Sequence, residues 1–185
     1  MQGLDPIYRR HGTPVYRYLL ALGASREAAD DALQEAFLSL AQQPQAFDPG
    51  RGQLGAYLAG IARHVLLAHW RRQGREVDTS DEELEVGNEQ GTQAPSAEDH
   101  LSAQHDNEAL WQAIRQLPFI FREALLLVDI QERGYQEAAQ IAGIELNTLR
   151  TRLHRARNRL RRALHDGPPG THDAPARKPV PPSSG

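Results

Sequence analysis

Tyr135-Gln-Glu-Ala-Ala-Gln-Ile-Ala-Gly-Ile-Glu-Leu-Asn-Thr-Leu-Arg150 decides how the C-terminal half of this chain is read. It contains a short helical stretch, a glycine, and the start of a longer helix. Ala139, Ile141 and Ile144 are small or apolar and let two helices cross closely, and Gly143 is suited to the left-handed turn such a crossing often needs. The pattern is that of a helix-turn-helix.

The helix that follows supports this reading. Leu146, Leu149, Leu153, Ala156 and Leu160 recur at spacings of three and four, which predicts one narrow buried stripe. Seven arginines, at positions 150, 152, 155, 157, 159, 161 and 162, occupy the remaining surface. A guanidinium fork pairs with guanine edges or bridges phosphates, so this helix has the chemistry of a major-groove reader. A solvated Arg-rich helix is the plain alternative. Such helices are usually laced by acids three or four residues away, and from Glu145 to His165 there is one Glu against the seven Arg.

Working outward, charge is sorted along the chain. The net charge is -3 over 185 residues, yet Arg51 to Arg75 carries five Arg and no acid, and Glu76 to Glu108 carries eleven acids and no Lys or Arg. Two basic blocks flank an acidic connector, an arrangement the mean charge conceals. The connector is poor in large apolar residues and cannot bury enough surface to offset the entropy of ordering.

Strand signals are nearly absent, and apolar residues fall repeatedly three and four apart, so the expected fold class is all-α. Helices are expected at about Pro6–Leu22, with Gly12 and Pro14 bending or interrupting the first, then from an N-cap at Ser25 to about Leu40, and at about Leu54–Arg72. A second set is expected at about Asp106–Gln116, Ile120–Gln131, Tyr135–Ala142 and Asn147–Leu164. The expected organisation is a helical domain at 1–75, a flexible acidic linker at 76–105, a second helical domain at 106–165, and a disordered Pro-rich tail at 166–185.

Several classes of chemistry find no support. There is no cysteine, which excludes disulfides and thiolate zinc sites within the chain. The longest strongly apolar run, Ala124 to Val128, is far short of the ~20 residues that span a bilayer. The expected location is therefore cytoplasmic. Gly50-Arg-Gly-Gln-Leu-Gly55 matches the dinucleotide fingerprint formally, but it follows a polar loop and no βαβ unit surrounds it. The His pairs 64/69 and 100/105 diverge around a helix, and no nucleophile-and-base arrangement is found. No enzyme activity, catalytic residue, metal or cofactor is expected.

Three stretches carry a resemblance. Leu117-Pro-Phe-Ile-Phe-Arg-Glu-Ala-Leu-Leu-Leu-Val-Asp129, Tyr135-Gln-Glu-Ala-Ala139 and Thr148-Leu-Arg-Thr-Arg-Leu-His-Arg-Ala-Arg-Asn-Arg-Leu160 resemble region 4 of the extracytoplasmic-function (ECF) sigma factors of bacterial RNA polymerase. The resemblance implies binding of the promoter minus-35 element and of the polymerase β flap. Arg150, Thr151, His154 and Arg155 would then face bases, while Arg152, Arg157 and Arg159 would hold phosphates. Gly134 stands where the family usually has a Ser or Thr cap, and Asn147 where it often has Gly.

In the N-terminal domain, Asp31-Ala-Leu-Gln-Glu-Ala-Phe-Leu38 is similar to the sigma region 2 segment that grips the β′ clamp helices. Spacing alone puts Asp31, Gln34, Glu35 and Leu38 on one helix face, which by itself reads as solvated; the resemblance makes it a polymerase-binding face. The resemblance also assigns the minus-10 element to the third helix and the loop before it, through Phe47, Arg51, Arg63, His64, Trp70, Arg71 and Arg72. Cations beside aromatic rings suit stacking on a base flipped from the non-template strand, although Trp70 would serve equally to close the core. His64 and Tyr57 stand where the family often has Asn and Trp.

The expected function is promoter-specific initiation with core RNA polymerase and promoter DNA as partners, and an anti-sigma factor as a further one. A stand-alone helix-turn-helix regulator, dimeric and independent of polymerase, is the alternative.

Overall fold

The structure, a computed structural model, describes residues 4–75, 77–79 and 103–165. The tail expected at 166–185 lies outside the described residues, as does most of the acidic linker expected at 76–105. Every regular element among the described residues is helical.

Helix α1 (Leu4–Leu22) is a single helix, and the interruption expected at Gly12 and Pro14 does not occur. Val15, Tyr18, Leu19 and Leu22 follow Pro14 directly and all are buried, so packing outweighs the cost of one missing N–H. Helix α2 (Arg26–Gln42) begins where Ser25 predicts. The Ser25 hydroxyl accepts a hydrogen bond from the Ala28 N–H at 3.1 Å, satisfying one of the donors that a helix start leaves unpaired. A 3₁₀ turn (Pro44–Ala46) and a Gly-containing loop lead to α3 (Leu54–Arg72), whose bounds are those expected from its periodicity. These three helices pack on one another around Leu19, Leu33, Leu58 and Leu66.

The second unit comprises α4 (Ala103–Gln116), α5 (Phe119–Leu125), α6 (Tyr135–Ala142) and α7 (Leu146–His165). Helix α5 runs on into a π turn (Leu126–Ile130), closed by the Gln131 N–H donating to the Leu126 carbonyl at 2.9 Å. The chain then reverses through Glu132 at φ 53. Between α6 and α7, Gly143 takes the left-handed conformation, φ 67 and ψ 37, that the turn requires. Leu149, Leu153 and Ala156 form the buried stripe of α7, flanked by the half-buried Leu146 and Leu160.

The two units do not stand apart. Helix α6 lies along α3, and α5 with its π turn meets α1, so one apolar core runs through both. Trp70 of α3 meets Phe119 of α5 edge-on, with ring centroids 6.1 Å apart.

Candidate functional site

Two surfaces and one junction carry chemistry. The first surface lies on α2. Asp31, Gln34, Glu35 and Leu38 are all exposed on one face, as their spacing requires. With Leu4, Tyr8, Phe37 and Ala41 they line a groove of about 540 Å³. Leu4, Tyr8 and Leu38 are each more than 40% exposed, an unusual concentration of large apolar side chains in solvent. The Tyr8 and Phe37 rings touch at 4.9 Å and hold the groove wall. Leu4 and Tyr8 were not among the residues expected to bind polymerase, because they come from a different helix.

The second surface is the outer face of α7. Arg150, Thr151, His154, Arg157 and Arg159 are exposed and Arg155 is half-buried. Arg150 donates to the Asn147 side chain at 3.3 Å, and the Thr151 hydroxyl donates to the Asn147 carbonyl at 3.1 Å. His154 pairs with Asn158 at 3.1 Å. Arg157 makes a forked pair with Asp129, at 2.6 and 3.0 Å, and this hydrogen bonding raises its pKa despite partial burial. Arg159 stacks over the Phe121 ring at 4.7 Å. Arg152 is on the other side of the helix: it is 2% exposed and donates to the Thr79 carbonyl at 3.0 Å, binding the segment after α3 to α7.

The minus-10 candidates are dispersed. Phe47 is half-buried, with its ring tilted on Tyr57 at 5.5 Å. Arg51 and His64 are exposed, and so are Arg71 and Arg72 at the end of α3. Trp70 is 3% exposed and closes the core, with the Arg75 guanidinium 4.0 Å above its ring. Phe47, Arg51, Arg63 and His64 line a cleft of about 570 Å³ whose other wall is Gln140, Ile141 and Gly143 of the second unit.

Arg63 has a different partner from the one its position on a basic helix suggests. It donates from Nε and Nη2 to both oxygens of Glu123, at 2.5 and 2.9 Å. The Tyr18 hydroxyl donates to the same carboxylate at 2.9 Å. Glu123 is 1% exposed. Burial works against the Arg63 charge, yet the hydrogen bonds and attraction of Glu123 override it and raise the Arg63 pKa. Burial, then the Glu123 charge, pushes the Tyr18 phenol well above its ordinary range, so it stays a donor. Tyr18, Glu123 and Gln140 were missed as site residues in the sequence. The available signal was a single acid inside the apolar run Phe119 to Val128, where a carboxylate needs a partner to be buried.

No group of three or more His, Cys, Asp or Glu among the described residues is arranged to hold a metal ion. No helix among them is long and apolar enough to cross a membrane.

Residues 7–76 match the family of Sigma-70 region 2, and residues 107–160 that of Sigma-70 region 4. The chain is 29% identical to the ECF RNA polymerase sigma factor SigM of Bacillus subtilis, covering 89% of this chain and 96% of that protein. It is 31% identical to the ECF sigma factor EcfG of Rhodopseudomonas palustris, covering 80% of this chain and 77% of that protein. Among solved structures it is similar to the sigma factor RpoE of Bartonella quintana, crystallised with the anti-sigma factor NepR: TM-score 0.64, 26% identity, 89% of this chain and 98% of that one. An α2 groove, an arginine face behind a helix-turn-helix, and these matches in their order along the chain lead to one assignment: the chain belongs to the ECF sigma factors of RNA polymerase.

Proposed function

We propose that this chain brings core RNA polymerase to specific promoters, with docking and DNA reading divided between its two units. The observation that carries the division is the contrast of two surfaces: an acidic, amide and apolar groove on α2, and an outer face of α7 that is almost free of acids. The groove around Asp31, Gln34, Glu35 and Leu38 suits a basic, Leu-accepting partner and is assigned to the β′ clamp helices. The β flap is assigned to the second unit, on the family resemblance.

On α7, Arg150, Thr151, His154 and Arg155 are assigned to base edges of the minus-35 element. Arg157 and Arg159 are assigned to phosphates, which requires Arg157 to leave Asp129 or share it. Arg152 is withdrawn from the phosphate set for the form described, since its guanidinium is buried at the Thr79 carbonyl. Phe47, Arg51, His64, Arg71 and Arg72 are assigned to the minus-10 element, with Arg63 joining them once it is released from Glu123. Trp70 is kept as a core residue that steadies the end of α3. The chain supplies binding energy and no catalytic step of its own, and it works in the cytoplasm with polymerase. An anti-sigma protein is a further candidate partner, supported by the Bartonella quintana relative having been crystallised with one.

The test is co-migration of the purified protein with bacterial core polymerase on size exclusion, followed by transcription from a genomic promoter library. Co-migration and initiation at a defined promoter set are expected, with Asp31→Lys/Glu35→Lys losing core binding while keeping its helical circular dichroism. A protein that ignores core and shifts DNA alone as a dimer would instead be a stand-alone regulator.

A further inference from the structure

Four of the minus-10 candidates, Phe47, Arg51, Arg63 and His64, share a junction in this structure with the helix-turn-helix, which the proposed function asks to act on a separate promoter element. Helix α6 roofs the cleft that holds Phe47, Arg51 and His64, and Gln140 of α6 donates to the Arg51 carbonyl at 2.8 Å. The approach is tight at Gly52, where a Cβ would lie 2.8 Å from the Gln140 amide oxygen, and ordinary at Gly60, where one would be 4.0 Å from the Ile141 carbonyl. At the centre, Glu123 receives Tyr18 and both arms of Arg63.

We propose that this junction is a releasable latch: Glu123, held by Tyr18 and Arg63, keeps the free chain closed, with α6 roofing the minus-10 cleft and Arg63 occupied, and the latch must open before DNA is engaged. The inference rests on the assignment of that surface to DNA. Three features support it. The Glu123 carboxylate presents to the Arg63 fork the same two oxygens that a phosphodiester would, so Arg63 can serve the latch or the DNA backbone but not both at once. A buried ion pair returns little net stability after desolvation, so it specifies one geometry without making it permanent. Repulsion is also built in: Arg75 lies close enough to Arg122 to depress the Arg122 pKa, second to the effect of burial, and opening relieves that repulsion.

The first test is small-angle scattering on the free full-length protein. Wild type is expected to be compact, and Glu123→Gln and Tyr18→Phe to be more extended while circular dichroism keeps the helix content of both. Binding of a single-stranded minus-10 oligonucleotide to free Glu123→Gln should tighten by about fivefold or more, the lower end of ordinary coupling between sites. An extended wild type, or two variants that bind the oligonucleotide no better than wild type, would overturn the latch.

Because the chain has no cysteine, Gly52→Cys/Gln140→Cys can be joined uniquely by a short, reducible bis-maleimide. The bridged protein should fail to initiate with core polymerase, recover on reduction, and differ from the same variant capped with a mono-maleimide. Equal activity of the bridged and capped proteins would also overturn the latch. If the unbridged protein never initiates, the sigma assignment fails instead, while the scattering result still decides whether the chain is closed.

Discussion

Arg63 of α3 and Glu123 of α5 are sixty residues apart in sequence and joined by two parallel hydrogen bonds, at 2.5 and 2.9 Å, with the Glu123 side chain 1% exposed. This pair ties the two helical units together. Removing one partner leaves the other charge buried and unpaired, at a cost of about 3–5 kcal/mol. Glu123→Ala is therefore expected to lower the urea midpoint clearly, and Arg63→Met/Glu123→Leu to regain most of the loss because no charge is left stranded. A double mutant as unstable as Glu123→Ala would show that packing, not charge, is what the site requires.

Closure should also depend on pH. His11 has a lowered pKa, first because it is partly buried and then because Arg10 and Arg133 lie near it, Arg133 coming from the second unit and paired with Glu137. A lowered pKa means that the closed form resists the proton that an open or unfolded chain accepts. The contribution of His11 to the stability of the junction is therefore fully present above the ordinary value of 6.5 and is lost as pH falls toward the lowered one. Scattering or urea unfolding at neutral and mildly acidic pH should show this loss, and His11→Gln should lessen it. An equal loss in His11→Gln would assign the effect to other groups.

Gly143 sits at φ 67 between α6 and α7. A side chain there costs about 1–2 kcal/mol from the approach of Cβ to the following carbonyl oxygen. Gly143→Val should lower the melting temperature and weaken minus-35 binding together, since the turn sets the angle of α7. Gly143→Asn, which tolerates this conformation better, should be intermediate.

If α7 reads DNA as proposed, Arg150→Ala/Arg155→Ala should weaken promoter binding and leave core binding intact. An arginine that neutralises a phosphate contributes about one unit to the slope of log affinity against log salt, so its removal flattens that slope by the same amount. An arginine that reads only a base edge takes affinity with it and leaves the slope nearly unchanged. Titration of the variant holoenzyme over a range of salt distinguishes the two, and equal loss of core binding would undo the division of labour.

Local structure was largely legible in the residues themselves. The bounds of α3 and α6, the Ser25 cap and the left-handed Gly143 all follow from short-range rules: apolar spacing, a hydroxyl before a helix, a residue without Cβ at a turn. The continuity of α1 was not legible, because the penalty at Pro14 is local while the burial of Tyr18, Leu19 and Leu22 that outweighs it is not. The turn at Glu132 was hidden for a similar reason. A left-handed residue is sought at glycine, and the nearest one, Gly134, has ordinary φ.

By itself the sequence determined the all-helical class, the helix-turn-helix and the segregation of arginine from acid, since each depends on residues within a few turns of one another. Tertiary structure alone decided that Trp70 is core, that Arg152 is buried against Thr79, and that Arg63 is paired with Glu123. The physical reason is common to all three. A cation or an aromatic ring has the same local signature whether it meets water, DNA or a carboxylate, and only the packing of distant helices selects which.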